Sequence, residues 1–132
     1  MQYRLVTRDD LDGIIALCAA EGWPSYTADR DMTWRALTAP GVCTVVAVDG
    51  GEVMGFAQMQ SDGVIQAHLS LIAIARHRRR QGIGRQLVEE ALRRGGGKRL
   101  DLLSEGGEDF YRSFHHRRLP GFRIYPEPPQ MQ

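Results

Sequence analysis

Gln66, His68 and Ser70 recur at every second position, and the residues between and beside them, Ile65, Ala67, Leu69 and Leu71, are all apolar. In a β-strand that spacing puts the three polar side chains on one face and the apolar set on the other. Buried polar groups are costly unless paired, so such a stripe either meets water or serves a ligand. Pairing across a turn at Ser61-Asp62-Gly63, with Gln60 opposite Val64, sets Gln58 opposite Gln66, Phe56 opposite His68 and Met54 opposite Ser70. Gln58 and Gln66 then become candidate substrate contacts in the row next to His68. An imidazole is mostly neutral near pH 7 and can accept a proton there, which makes His68 the candidate general base. The competing reading is a histidine that only hydrogen-bonds within the sheet. Glu21 and Glu105 are reserve bases, each also readable as a solvated surface carboxylate.

A second group follows that strand. Arg79-Arg80-Gln81-Gly82-Ile83-Gly84 lies between the apolar run and a helix-patterned segment. Two glycines allow a tight turn and close approach of backbone to a ligand. A helix starting there offers unpaired N–H groups and the positive end of its dipole, a site suited to phosphate. Arg79, Arg80 and Arg85 add planar, permanently charged forks. The spacing is not a Walker A loop, and it lacks the third glycine of a dinucleotide-binding turn, because Leu87 stands in that place.

Positioning these groups takes a definite series of elements. Tyr3–Val6 reads as a first strand, and Thr7 offers an N-cap to a helix whose inner face is Leu11, Ile14, Ile15 and Cys18. Gly22 to Tyr26 reads as a loop, and a second helix is predicted over 29–37. Strands are predicted over 42–48 and 52–60, joined by Asp49-Gly50-Gly51, and over 64–74. Ile83, Leu87, Val88, Ala91 and Leu92 have helical spacing, ended by Gly95-Gly96-Gly97. A strand over 99–103, a short aromatic helix over 109–115 and a last strand over 121–125 complete the series. The order β-α-α-β-β-β-α-β-α-β needs an antiparallel meander and then a parallel crossover.

The chain has 132 residues, 42% of them hydrophobic and 25% charged, the balance of one ordinary globular domain. Residues 1–125 are expected to form it, with 126–132 a Pro-rich tail. No apolar run approaches the ~20 residues of a membrane span. The opening residues lack a signal pattern, so a cytoplasmic location is expected and a membrane partner is not. Two cysteines, Cys18 and Cys43, can make neither a disulfide framework nor a zinc site by themselves. His115-His116 is a poor spacing for one metal, so no metal is expected. Sixteen of the 17 basic residues are Arg, seven of them between Arg76 and Arg94, yet net charge is only +1. With no helix-turn-helix or aromatic stacking platform beside the Arg run, nucleic acid is not expected as a partner.

Leu71-Ile72-Ala73-Ile74 followed by Arg79-Arg80-Gln81-Gly82-Ile83-Gly84-Arg85-Gln86-Leu87 resembles the acetyl-CoA-binding motif of the GNAT acyltransferase superfamily, (Q/R)-x-x-G-x-(G/A). The order of elements resembles that fold over nearly the whole chain. The resemblance implies an α/β fold with a single mixed, mostly antiparallel sheet flanked by helices. It implies an N-acetyltransferase with acetyl-CoA as cosubstrate and the primary amine of a small molecule or peptide as acceptor. Carried over by position, Ile72, Ala73 and Ile74 would meet the pantetheine arm. Arg79, Arg80, Gln81, Gly82, Ile83 and Gly84, with Arg85, would hold the pyrophosphate. In the histone-acetylating branch the position of His68 carries a glutamate base. Phe110-Tyr111 with Gly121-Phe122 resembles the family's F-Y-x-x-x-G-F pattern, which makes Tyr111 the candidate acid for the coenzyme thiolate. Nine residues separate Tyr111 from Gly121 where the pattern has about four, and Ser104 stands where many relatives have asparagine. Trp23 and Tyr26 lie where this family often builds its acceptor pocket. Dimers are common among similar proteins, so a homodimer stays open. The alternative within the same resemblance is a module that binds acyl-CoA without turnover.

Overall fold

The computed structural model describes residues 1–127. Two compact units divide the chain, Met1–Asp101 and the part from Leu102 onward. The first holds a five-stranded sheet in the order β1-β2-β3-β4-β5. Its strands are β1 (Gln2–Leu5), β2 (Val42–Asp49), β3 (Glu52–Ser61), β4 (Gln66–Ile74) and β5 (Arg99–Asp101), and its helices α1 (Leu11–Glu21), α2 (Arg30–Thr38) and α3 (Ile83–Gly95). The first four strands pair antiparallel, and β5 joins β4 in parallel after the α3 crossover. This is the mixed, mostly antiparallel sheet expected.

Local chemistry fixes the ends of these elements. Asp10 accepts from the Thr7 N–H at 2.7 Å and opens the turn that leads into α1. Gly22, at φ +77 in the left-handed region, closes α1. Asp29 accepts from the Met32 N–H at 3.1 Å to cap α2, and Ala39, held extended before Pro40, ends it. Leu11, Ile14, Leu17 and Cys18 of α1 and Leu37 of α2 pack with Val46, Val48, Phe56, Leu71 and Ala73 in one core cluster. The opposite face meets α3: Gly95 lies against Met59 and Cys43, and Gly55 lies beneath Leu87.

Three expectations are corrected. The hairpin between β3 and β4 is longer than a turn at 61–63. The Asp62 carboxylate accepts from the N–H groups of Val64 and Ile65, each at 2.8 Å, and of Gln66, so those residues wrap around it rather than pair. β4 therefore begins at Gln66, and Gln60 lies opposite His68, not Val64. The second correction is a bulge at Gln58/Met59: Met59 pairs Leu69 and Gln58 pairs Leu71, leaving Ser70 as the extra residue. Alternation of burial survives, but the face changes. His68 and Gln60 share the α1/α2 side with Leu71 and Gln58, while Leu69 and Met59 turn toward α3. The register that put Gln58 opposite Gln66 and Phe56 opposite His68 does not form.

The third correction lies in the second unit, which contains α4 (Glu108–Arg112). Residues 121–125 have the alternation of a strand but form none. A strand exists only within a ladder, and these residues have no pairing partner among the described residues. Phe122 and Ile124 remain 86% and 88% exposed. Of the expected tail 126–132, residues 128–132 lie outside the described ones. No helix among the described residues is long and apolar enough to cross a membrane.

Candidate active site

The site begins where β4 and β5 part. They pair only over Gln66↔Arg99, Ala67↔Leu100 and His68↔Asp101, whereas β4 runs on to Ile74. Beyond His68 that edge of β4 has no partner strand among the described residues. One bond fixes the direction of its free groups: the Ala75 N–H donates to the Met54 carbonyl of β3 at 2.8 Å. The carbonyl on the other side of that peptide, Ile74 C=O, must point away from β3. By alternation the N–H groups of Ile74 and Ile72 do likewise. Ala73 turns the other way, with its polar backbone groups toward Phe56 of β3 and its methyl in the core. Of the three residues expected to meet the cosubstrate arm, Ile72 and Ile74 face the open edge and Ala73 anchors the strand.

The Arg-rich loop closes the top of this edge. Arg80 has φ +63, the only left-handed non-glycine residue among those described, and Gly82 follows at φ +82 as the N-cap of α3. No side chain caps α3, so its first N–H groups and the positive end of its dipole stay available to an anion. A Cβ on Gly82 would meet nothing within 4 Å, so the backbone angle and not space demands glycine there. Arg78 braces the loop, bonded to Asp49 at 2.9 Å and to Gln81 at 3.1 Å. Arg79 donates to Glu21 at 2.7 Å and to the outward-pointing Ile74 carbonyl at 3.3 Å. Arg80 has no hydrogen-bond or ion-pair partner among the described residues. The Arg85 guanidinium lies 3.6 Å from Glu89. Permanent cations, uncapped helix N–H groups and an unpaired strand edge fit a ligand with phosphates at one end and amides along its length.

The remaining expected residues divide. His68 is half-buried at the fork, on the last row that β4 shares with β5. Gln66, one row earlier, is exposed and accepts from Arg99 at 3.0 Å. Gln58 is only 2% exposed; its Nε2 donates to the Ala36 carbonyl of α2 at 2.9 Å, and its Oε1 has no partner. It therefore presents no open polar surface beside Gln66. Trp23 and Tyr26 are partly buried and pack against the α1/α2 core cluster. Sequence reading missed that Glu21 and Arg79 are paired, because they stand 58 positions apart and no local pattern connects them.

In the second unit Phe110 stacks edge-on with Tyr111 at 5.0 Å and with Phe114 at 5.3 Å. Burial pushes the Tyr111 phenol above its usual pKa, so it holds its proton. Ser104 turns its hydroxyl onto the Gly106 carbonyl, and Glu105 lies 3.6 Å from Arg123.

A mixed sheet whose fourth strand parts from the fifth, with an uncapped helix N-terminus at the top of the open edge, defines an α/β class with room for an extended phosphate-bearing ligand. The chain matches the acetyltransferase (GNAT) family over residues 8–115 and belongs to that family, of which acetyl-CoA is the cosubstrate. It is 26% identical to the mycothiol acetyltransferase of Streptomyces coelicolor, over 96% of this chain and 42% of that protein. The chain thus spans about two fifths of that relative's length. Among solved structures, an aminoglycoside N-acetyltransferase in complex with CoA superposes with a TM-score of 0.76 at 16% identity, covering 97% of this chain and 95% of that one. A ribosomal-protein-alanine N-acetyltransferase from Brucella melitensis biovar Abortus 2308 gives 0.75 at 15% identity, covering 96% and 98%. At such identities these two likenesses concern the fold alone.

Proposed function

We propose that this chain is an N-acetyltransferase that moves the acetyl group of acetyl-CoA to the primary amine of a small molecule or peptide. The observation that carries this reading is the unpaired edge of β4, which runs from the α3 N-terminus down to the fork at His68. At ~3.3 Å per residue, Ile74 and His68 are about 20 Å apart along the strand. Phosphates held at the top by Arg80 and the backbone from Gln81 to Gly84 leave an extended arm lying down this edge, toward His68.

When bound, acetyl-CoA supplies a thioester-activated acetyl group whose capture by an amine releases the coenzyme thiol. An alkyl ammonium has a pKa near ~10.4 and must lose a proton before it can attack. His68, half-exposed at the fork, is the proposed acceptor of that proton. Backbone N–H groups freed along β4 are the donors available to a developing oxyanion. Tyr111 is the proposed proton donor to the departing thiolate, a role that rests on the resemblance of its motif and on its retained proton. The exposed edges of Trp23 and Tyr26, with Gln66, are the proposed acceptor contacts, and residues 1–125 the acetyltransferase domain. The family match runs across both units, which supports that extent.

Calorimetric titration with acetyl-CoA and with free coenzyme A tests the reading. Binding of order micromolar in the native chain, abolished in Gly82→Asp/Gly84→Asp, is the expected result. No binding by the native chain overturns it. Binding without product across a panel of primary amines would replace the enzyme with an acyl-CoA-binding module.

A further inference from the structure

Asp101 is the last residue of β5, and its Cα partner on β4 is His68. In a parallel pair, residues in register are neighbours across about 4.8 Å, and their side chains leave the sheet on the same side. The row before it shows what side chains on this face can reach. Gln66 and Arg99 are likewise Cα partners, and there Arg99 donates to Gln66 Oε1 at 3.0 Å. Across β3 the row continues with Gln60, so His68 sits between an amide and a carboxylate. Neither the His68 imidazole nor the Asp101 carboxylate has a hydrogen-bond partner among the described residues. Both end at the fork, where the open edge begins.

We infer that Asp101 is a positioning residue for His68. Its carboxylate accepts a hydrogen bond from the imidazole nitrogen nearer β5, which fixes the tautomer and aims the lone pair of the other nitrogen away from β5, into the fork. The proton taken from an incoming ammonium then rests on an imidazolium that faces a carboxylate. Contact needs only side-chain rotation, since the backbone register already sets the pair. The inference rests on His68 as the base, and its test separates the two.

Nitrogen-15 NMR of histidine side chains in the 132-residue chain reads the tautomer directly, with His68→Gln assigning the resonance. The expected result is one dominant neutral tautomer of His68 in the native chain, lost in Asp101→Ala and restored in Asp101→Glu. An unchanged tautomer in Asp101→Ala overturns the inference whatever the activity. Acetyl transfer from acetyl-CoA to a panel of primary amines is the second arm. Asp101→Ala should lower kcat about tenfold, part of the 10²–10⁴ a positioned base contributes, with the KM for acetyl-CoA unchanged. If the tautomer responds but His68→Gln keeps full turnover, the contact stands and the assignment of the base fails.

Discussion

Arg79 and Glu21 are joined at 2.7 Å across the mouth of the open strand edge. The same guanidinium bonds the Ile74 carbonyl, the last outward-pointing acceptor of β4. The end of α1 is thereby tied to the loop proposed to hold the phosphates. Anything that draws Arg79 onto a phosphate must first compete with a carboxylate for it.

Glu21→Gln should therefore tighten coenzyme A binding. A part-exposed ion pair contributes at most about 1 kcal/mol, which corresponds to an increase of up to roughly fivefold. Freed of Glu21, the guanidinium also carries its full charge toward the ligand, so the salt dependence of binding should steepen. Calorimetry at two ionic strengths reads both effects. Weaker binding in this variant would mean that Glu21 aims Arg79 instead of withholding it.

Asp10 and Arg4 form a two-pronged pair at 2.7 and 2.9 Å, and Asp10 is 4% exposed. Burial alone would raise the Asp10 pKa. The hydrogen bonds from Arg4 and from the N–H and hydroxyl of Thr7 outweigh it, and the carboxyl is held below its usual range. A depressed folded-state pKa means stability that is fully present above the unfolded value of ~3.9 and is lost as pH falls through the folded value. Asp10→Asn should cost about 2 kcal/mol at pH 7, a figure reduced because Arg4 is partly exposed, and should flatten the stability curve below pH ~4. Urea titrations at pH 7 and pH 3 measure it; parallel curves for the two proteins would sink the claim.

Tyr111 keeps its proton because burial disfavours the phenolate. As the proposed acid it should support turnover through neutral and mildly alkaline pH, with a decline only above the ordinary phenol value of ~10. Tyr111→Phe should lower kcat by roughly 10²-fold while coenzyme A binding stays within about twofold. A kcat that does not move would remove Tyr111 from the chemistry and leave it a packing residue beside Phe110.

The strand and helix order of the first unit was legible because each boundary has a local cause: Thr7, Gly22, Asp29, Pro40 and Gly82 act within one or two turns of themselves. The glycine-containing turn that opens α3 was legible for the same reason. Register was not. Asp62 gathers three backbone N–H groups and lengthens a hairpin that composition alone reads as tight. The bulge beside Gln58 then reverses which side of the sheet the next residues meet. The first is a local side-chain contact that competes with strand pairing, the second a matter of pairing between strands, and neither leaves a mark in a period-two pattern. Residues 121–125 fail as a strand for the related reason that alternation says which face a strand would bury, not whether an edge waits to receive it. The Arg79–Glu21 contact and the His68–Asp101 row likewise exist only once the chain is folded.

Gly55 ties core packing to the open edge. It lies on β3 opposite Ile74, and a Cβ there would stand 2.8 Å from the Ile74 Cδ1, 3.1 Å from the Ala73 carbonyl oxygen and 3.2 Å from the Leu87 Cδ1. Its φ is not left-handed, so Gly55→Ala tests space and not backbone strain. A backbone carbonyl cannot rotate away as a side chain can, and α3 presses from above through Leu87. Overpacking of this kind should cost about 1–2 kcal/mol, a fall in Tm of roughly 3–10 °C for a chain this size. Some relief can come from Ile74 moving toward the open edge, the one direction in which no strand opposes it. Coenzyme A binding should then weaken along with stability, because the displaced side chain enters the space the ligand needs. Gly50→Ala is the control: a Cβ there meets nothing within 4 Å, and Gly50 sits in the β2–β3 turn at φ +59. It should lower Tm through backbone strain while leaving coenzyme A affinity unchanged. Equal loss of affinity in both variants would show that general destabilisation, and not the position of Ile74, governs binding.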